Sequence, residues 1–437
     1  MKEKTFRIIS LGCRTNRYES DAYYQQLLSL GYIEAAEEEE VDLYIFNTCT
    51  VTQKADRESR QLVMRAARRH PKARIVVTGC ASQRDKQKFA AIDSVSHVID
   101  NGEKEQLISK LFPDIAQPPP FSLATLPAGH TRAFVKIQDG CDNACSYCII
   151  PRVRGRSRSR PLPVICREVE QLVENGYREV VLTGIHIGGY RDERGHELSQ
   201  LLRALQGVEG LCRVRLSSID PHEIREPLLE AIIANTKICR SLHLSLQSGS
   251  DKILESMRRK YRTEDFLKTV ELCRKIDSHF TFSTDLIVGF PGEEQRDFAD
   301  SLDFLEIGFV KVHLFPYSQR EKTRAIYLPN QVPPKTIFER RRIADLHIRE
   351  VMRKEREKYV GEELSLLSER ERVGEEGAFF LGYSPHFIPI ALAKEGGMRS
   401  NQLYRVRIIK NLENHLQGRL TQSFKEQYSV ERDRTCA

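Results

Sequence analysis

Residues 140–148 read GCDNACSYC, and the spacing of Cys141, Cys145 and Cys148 within them decides how the rest of the chain is read. The stretch follows directly on an apolar run, Ala133 to Ile137, so the cysteines leave from the end of an expected strand. Cysteine thiolates hold iron–sulfur clusters, and three ligands on a four-iron cluster leave one iron free to bind something other than protein. An open iron implies chemistry rather than scaffolding. Structural zinc is the competing explanation, but zinc sites close with four ligands, usually as paired C-x2-4-C knuckles. The next cysteine here, Cys166, lies well downstream.

Working toward the N-terminus, residues 4–115 alternate short apolar runs with helical patterns, as in an α/β domain with a parallel sheet. Phe6 to Leu11 reads as a strand leading to Cys13, Val41 to Phe46 as one leading to Cys49, and Arg74 to Thr78 as one ending near Cys80. The carboxyl ends of an open parallel sheet share one edge, where such folds bind ligands. Cys13, Cys49 and Cys80 are therefore expected to converge as a second set of three metal ligands. The alternative is that each is a small buried residue at a strand end. Cys166, Cys212, Cys239, Cys273 and Cys436 share no motif and are assigned to packing or, for Cys436, to a frayed terminus.

Toward the C-terminus, a Pro-rich passage, AQPPPFSLATLP, reads as an extended linker. Strand-like runs at 133–137, 179–183, 212–217, 241–246, 281–289 and 309–315 then alternate with helical stretches, which predicts a partial or closed parallel (β/α) barrel over 127–357. Residues 361–425 change to short alternating apolar segments with glycines, the pattern of a small β-barrel. The expected fold class is α/β with three units in that order.

At 437 residues the chain is long enough for two or three cores. Eleven cysteines without an apolar N-terminal segment argue against a secreted disulfide protein, and no stretch approaches a membrane span. A cytoplasmic protein that keeps its thiols for metal is expected. The net charge of +7, from 68 basic and 61 acidic residues, does not by itself announce nucleic acid. Its distribution is more telling, because PRVRGRSRSR places Arg152, Arg154, Arg156, Arg158 and Arg160 at every second position. In an extended segment all five point one way and suit an RNA backbone; the alternative is a solvated basic loop.

C-x3-C-x2-C followed by a basic turn resembles the radical S-adenosylmethionine superfamily. The longer stretch FVKIQDGCDNACSYCIIPRVRGRSRSRP is similar to its methylthiotransferase branch, as are LTGIHIGGY, RLSSIDP, LHLSLQSGSDKILESMRRKY, STDLIVGFPGE and HLFPYSQR. The resemblance implies a radical SAM core with a [4Fe–4S] cluster on Cys141, Cys145 and Cys148 and an auxiliary [4Fe–4S] cluster on Cys13, Cys49 and Cys80. It further implies an S-adenosylmethionine site that includes Tyr147, Thr183 and Gly184, and a C-terminal TRAM-like domain that docks RNA. Gln247 and Asp285 stand as cofactor contacts or as members of a buried network, and Gly289 and Gly292 as a close backbone approach or a turn. Equal numbers of acidic and basic residues between Glu362 and Arg419, and a loose GYSPHFIPI match, weaken the RNA role of the last unit.

Three substrates divide the family: isopentenyladenosine 37 of tRNA, threonylcarbamoyladenosine 37 of tRNA, and an aspartate of ribosomal protein S12. RLSSIDP, MRRKY and LGCRTNRYES resemble the threonylcarbamoyladenosine branch, which implies a tRNA anticodon-loop substrate and an external electron donor. An iron–sulfur RNA-binding or redox-sensor protein is the alternative from another class.

Overall fold

The computed structural model describes residues 4–36, 38–123, 131–374 and 377–423. The first unit is a five-stranded parallel sheet in the order β2-β1-β3-β4-β5. Its strands are β1 (Thr5–Ser10), β2 (Ile33–Glu34), β3 (Leu43–Thr48), β4 (Arg74–Gly79) and β5 (Val95–Val98). Helices α1 (Arg14–Ser29), α2 (Gln53–Arg69), α3 (Cys80–Arg84), α4 (Lys86–Ala90) and α5 (Leu107–Leu111) connect or follow them. Every residue of β3 is buried, as expected for a central strand covered on both faces. The Thr52 side chain caps α2 by accepting from the Ala55 N–H at 3.1 Å, and Arg68 and Arg69 lie in its last turn.

The central unit is a partial barrel of parallel strands: β6 (Arg132–Lys136), β9 (Glu179–Thr183), β10 (Arg213–Leu216), β11 (Ser218–Ile219), β12 (Ser241–Leu244), β13 (Thr281–Val288) and β14 (Lys311–Pro316). A small hairpin of β7 (Gln138–Asp139) and β8 (Arg158–Ser159) brackets the cysteine loop. Pairing runs β10-β9-β6 and β11-β12-β13-β14, so the third strand serves both sheets and breaks at Ser217, while β6 and β14 stay unpaired with each other. Alternate residues, among them Val180, Leu182, Val214, Leu216, Leu242, Leu244, Phe282 and Leu286, pack in the outer core, which turns the intervening side chains toward the lumen. Around the strands lie α6 (Ile150–Arg154), α7 (Leu162–Glu174), α8 (Leu198–Gln206), α9 (Glu226–Ala234), α10 (Asp251–Ser256), α11 (Thr263–Ile276), α12 (Gln295–Leu305) and α13 (Pro334–Glu357).

The first two units share a core. Tyr18 and Ala22 of α1 are fully buried among barrel residues, and the Tyr18 hydroxyl donates to Glu168 of α7 at 3.0 Å. Burying a side chain of that size contributes about 1.5–3 kcal/mol. The Pro-rich passage corrects the expectation of an extended linker as far as it is described. The Leu123 N–H donates to Glu168 at 2.7 Å, Leu123 is fully buried, and Gln26 holds the Pro119 carbonyl, so the passage is tied down. Its continuation, 124–127, and Cys436 lie outside the described residues.

The last unit is a closed five-stranded barrel, β15-β16-β17-β19-β18, from β15 (Glu363–Gly374), β16 (Gly377–Tyr383), β17 (Pro389–Ala393), β18 (Leu403–Asn411) and β19 (Leu416–Ser423). The loop after β16 plugs the amino end of the central barrel. Arg213 donates to the Tyr383 carbonyl at 2.9 Å, Arg215 to the Ser384 carbonyl at 3.1 Å, and Thr281 to the His386 carbonyl at 2.6 Å. Arg132 pairs with Glu369 of β15 at 2.6 Å and stacks over the Tyr383 ring at 4.7 Å. GYSPHFIPI, a weak motif in the sequence, is thus the floor of the central lumen.

Candidate active site

Cys13 lies just beyond β1, Cys49 directly after β3 and Cys80 directly after β4, on three adjacent strands of the first sheet. Gly12 shows how closely their loops approach: its φ is +91°, and a Cβ there would overlap the Cys49 sulfur. Burial pushes the Cys49 thiol up to about 12, and Cys13 and Cys80 add to that push, so the three sulfurs lie in one another's fields. In the second set the same effect is seen at Cys141 and Cys148. Burial and then Cys145 raise Cys148 to about 12, and Cys141 is raised by burial with Cys145 contributing. Two sets of three converging cysteines fit a bound cluster, because a metal takes its cysteine ligands as thiolates and its positive charge offsets theirs.

The two sets face each other across α6, which begins two residues after Cys148. Ile149 and Val153 pack on Cys80, Asn101 donates to the Val153 carbonyl at 2.6 Å, and the Arg154 Nε donates to the Cys80 sulfur at 3.2 Å. Arg154 also bonds Glu19 at 3.2 Å, Asp139 at 2.8 Å and the Asn16 side chain. Glu19 is fully buried between Lys104 at 2.5 Å and Lys136 at 3.7 Å. Burial would raise its carboxyl, but Lys104, Arg154 and Lys136 hold it well below the usual range.

This corrects the reading of PRVRGRSRSR as an extended ribbon with five co-facing arginines. The segment is a helical turn through Arg154 followed by β8, so every-second-position spacing does not aim the side chains together. Arg154 is buried in the charge network, and Arg160 bonds Glu168 at 2.6 Å and the Lys136 carbonyl at 2.7 Å. Arg152, Arg156 and Arg158 remain exposed. A basic surface that the sequence reading passed over lies on α2, where Lys54, Arg57, Arg60, Arg65, Arg68 and Arg69 are all exposed and form no ion pair among the described residues. Its signal was the count of arginines in QKADRESRQLVMRAARR.

Beside the second set, Tyr147 is partly buried and packs against Phe290, edge to face at 6.3 Å, and Phe290 meets Tyr317 at 5.4 Å, with Ile253, Met257 and Ala325 completing an apolar wall. Thr183 ends β9 and its carbonyl accepts from Ile137 at 2.8 Å; Gly184 follows at the strand tip. Gln138, absent from the sequence reading, ties this edge together. It donates to the Gly140 carbonyl at 2.7 Å and accepts from the N–H groups of Ile185 and His186 at 3.0 and 2.7 Å. Arg259 of MRRKY donates to the Cys145 sulfur at 3.1 Å and pairs with Asp220 of RLSSIDP. Those two segments, taken as marks of the substrate branch, thus meet at the cysteine loop.

Gln247 continues β12 with a left-handed φ of +69°, its N–H donating to the Asp285 carbonyl at 2.8 Å. A non-glycine residue in that conformation stores strain of the kind found at ligand sites. The Asp285 side chain turns into the lumen toward His243 at 3.3 Å and lies with His313 in one polar group. Burial would raise its carboxyl; His243, His313 and Arg14 hold it down. Gly289 packs so closely on Ile337 of α13 that a Cβ would overlap it, and the Gly289 N–H donates to Glu293, itself bound to Arg340. That turn serves helix packing.

The profile of the radical SAM superfamily matches residues 135–305, and that of the uncharacterized protein family UPF0004 matches residues 5–100. The chain is 43% identical over 418 residues to the threonylcarbamoyladenosine tRNA methylthiotransferase MtaB of Chlamydia pneumoniae, covering 95% of this chain and 98% of that protein. The chain belongs to the radical SAM methylthiotransferases. It is an enzyme, a tRNA methylthiotransferase, which removes the redox-sensor reading. The MtaB of Thermotoga maritima is 35% identical over 84% of this chain and 87% of its own length. A tRNA-2-methylthio-N(6)-dimethylallyladenosine synthase of Caldicellulosiruptor saccharolyticus is 35% identical over 84% of this chain and 82% of its own. Among solved structures, the radical S-adenosylmethionine methyltransferase TsrM of Kitasatospora setae shares the fold at a TM-score of 0.54 and 16% identity, covering 72% of this chain and 73% of that one. Radical SAM enzymes use S-adenosylmethionine and a [4Fe–4S] cluster, and Cys141, Cys145 and Cys148 offer the matching donor set. Among the described residues no helix is long and apolar enough to cross a membrane.

Proposed function

We propose that this chain inserts a methylthio group at C2 of threonylcarbamoyladenosine 37 of tRNA, as a cytoplasmic enzyme with two [4Fe–4S] clusters. The observation that carries the reading is the pair of three-cysteine pockets held against each other by α6 in a chain 43% identical to a threonylcarbamoyladenosine tRNA methylthiotransferase. Cys141, Cys145 and Cys148 would hold the cluster that supplies reductive cleavage of S-adenosylmethionine, and Cys13, Cys49 and Cys80 the one that supplies sulfur for transfer.

The chain's own groups position these parts. Gln138 fixes the cysteine loop to the tips of β6 and β9, and Arg259 places a cation on the Cys145 sulfur. Tyr147, Phe290 and Met257 exclude water from the cofactor side, where Thr183, Gly184 and Gln247 complete the rim. Arg154 locks the spacing of the two pockets. The Tyr383–Phe387 loop seals the far end of the lumen, so a base must enter from the carboxyl ends of the strands. The arginines of α2, with Arg152, Arg156 and Arg158, hold the RNA backbone.

Anaerobically reconstituted protein, supplied with a reductant and S-adenosylmethionine, should methylthiolate tRNA bearing threonylcarbamoyladenosine and turn over tRNA bearing dimethylallyladenosine far more slowly. A site that hydrogen-bonds a polar substituent strongly rejects an apolar analogue. Equal turnover of the two tRNAs would remove the substrate assignment and leave the family.

A further inference from the structure

Arg14 occupies the first position of α1, immediately after Cys13. It is half-buried, yet among the described residues it forms neither a hydrogen bond nor an ion pair. The side chains that act on it electrostatically are Arg132, Arg215, Asp285 and Tyr383. Arg132, Arg215 and Asp285 lie on the inner face of the central barrel, which places the Arg14 guanidinium at the lumen. Each of these three is already engaged: Arg132 with Glu369 at 2.6 Å, Arg215 with Glu179 at 3.0 Å and Asp285 with His243 at 3.3 Å. Lys136, a further lumen cation, is paired with Glu19 and Asp139. Arg14 therefore has no direct hydrogen-bond or ion-pair partner among the described residues, and the one carboxylate whose charge acts on it, Asp285, is already held by His243, which leaves the guanidinium free to take a ligand anion.

The chemistry of the substrate, as read above, supplies that anion. The threonylcarbamoyl group ends in a carboxylate, whereas a dimethylallyl group is apolar. C2, where sulfur enters, and C6, whose amino nitrogen carries the substituent, flank N1 of the same ring. A base whose C2 faces the Cys13, Cys49, Cys80 pocket thus keeps its N6 substituent within reach of a side chain rooted one residue from Cys13. A guanidinium presents paired N–H groups that match a carboxylate in two parallel bonds.

We infer that Arg14 is the specificity-determining residue of this enzyme, binding the carboxylate of the threonylcarbamoyl group in the barrel lumen. The inference rests on the substrate reading given under the proposed function. An apolar substituent would leave the guanidinium stranded, so the residue selects for the acid and against the prenyl group.

The test measures affinities of the full-length protein, both iron-free and reconstituted, for three anticodon stem-loops that differ at position 37: threonylcarbamoyladenosine, its methyl ester and unmodified adenosine. Wild type, Arg14→Gln and Arg14→Lys are compared, with iron content determined for each. Wild type should prefer the acid over the ester by about 10- to 100-fold, the range for a hydrogen bond between charged groups. Arg14→Gln should bind acid and ester alike, and Arg14→Lys should keep part of the preference. Full acid preference in Arg14→Gln would overturn the inference while leaving the proposed function standing. Equal weakening of all three stem-loops by Arg14→Gln would also overturn it, by assigning Arg14 to a backbone phosphate. If wild type fails to distinguish acid from ester, the carboxylate is not read and the inference falls; failure to methylthiolate the acid stem-loop as well would remove the substrate reading itself.

Discussion

Replacing Arg154 by Met decides whether this arginine belongs to the fold or to the RNA interface. Its side chain is 1% exposed and joins Glu19, Asp139, Asn16 and the Cys80 sulfur. Without it, fully buried Glu19 keeps Lys104 at 2.5 Å and Lys136 at 3.7 Å, while Asp139 keeps Lys136 at 3.8 Å and the Gly140 N–H at 2.8 Å. Removing one partner from a buried ion network costs about 3–5 kcal/mol, and the two lysines left on Glu19 argue for the lower end, about 3 kcal/mol. Guanidinium unfolding of the iron-free protein should show an earlier midpoint for Arg154→Met. Reconstituted variant should hold less iron, because Cys80 loses its neighbour and α6 its anchor. The exposed triple variant Arg152→Gln, Arg156→Gln, Arg158→Gln should stay within about 0.5 kcal/mol of wild type and lose tRNA affinity instead. An Arg154→Met protein as stable and iron-rich as wild type, but deficient in tRNA binding, would refute the structural role and restore the five-arginine clamp.

Further outcomes follow from the same geometry. Changing Cys141, Cys145 and Cys148 together to Ala should abolish 5′-deoxyadenosine formation, whereas the same change at Cys13, Cys49 and Cys80 should preserve cleavage of S-adenosylmethionine and abolish methylthio transfer; product from the second variant would contradict the auxiliary-pocket reading. Converting Lys54, Arg57, Arg60 and Arg65 of α2 to Gln should flatten the log–log salt dependence of tRNA binding by about three, at 0.7–0.9 per lost phosphate contact, and an unchanged slope would move the RNA off this helix. Burial alone would raise Glu179, but Arg215, Arg213 and Arg132 outweigh it and hold its carboxyl at about 2. An unfolded Glu titrates near about 4.3, so this group's stabilisation is full above that pH and fades as pH falls toward 2. Glu179→Gln should therefore be less stable at pH 7 and converge with wild type in acid melts; a constant gap from pH 7 to 2 would count against the pairing.

The placement of the two cysteine sets was legible because it depends on local spacing and on strand ends, both written in contiguous sequence. Val180 and Leu182 on β9, or Phe282 and Leu286 on β13, announce their strands by alternation, and the runs drawn at 179–183 and 281–289 fall within a residue of the observed limits. The arginine ribbon misled because alternation implies a common face only in a strand, and Pro151 at the start of α6 supports a helical turn there. Arg14, Gln138 and Arg259 act on residues far away in the chain, such as Asp285, His186 and Cys145 respectively, separations at which one sequence holds no pairing signal. The docking of Tyr383–Phe387 into the barrel floor is of the same kind: its hydrogen bonds to Arg213 and Arg215 are accepted by backbone carbonyls, which carry no residue signature.

The most direct measurement is nucleoside mass spectrometry of bulk tRNA from cells with and without this protein. The expected result is that 2-methylthio-N6-threonylcarbamoyladenosine disappears from the deletion strain, N6-threonylcarbamoyladenosine accumulates in its place, and the methylthiolated isopentenyl nucleoside is unchanged. Loss of the methylthiolated isopentenyl nucleoside, with the threonylcarbamoyl product intact, would contradict the central claim.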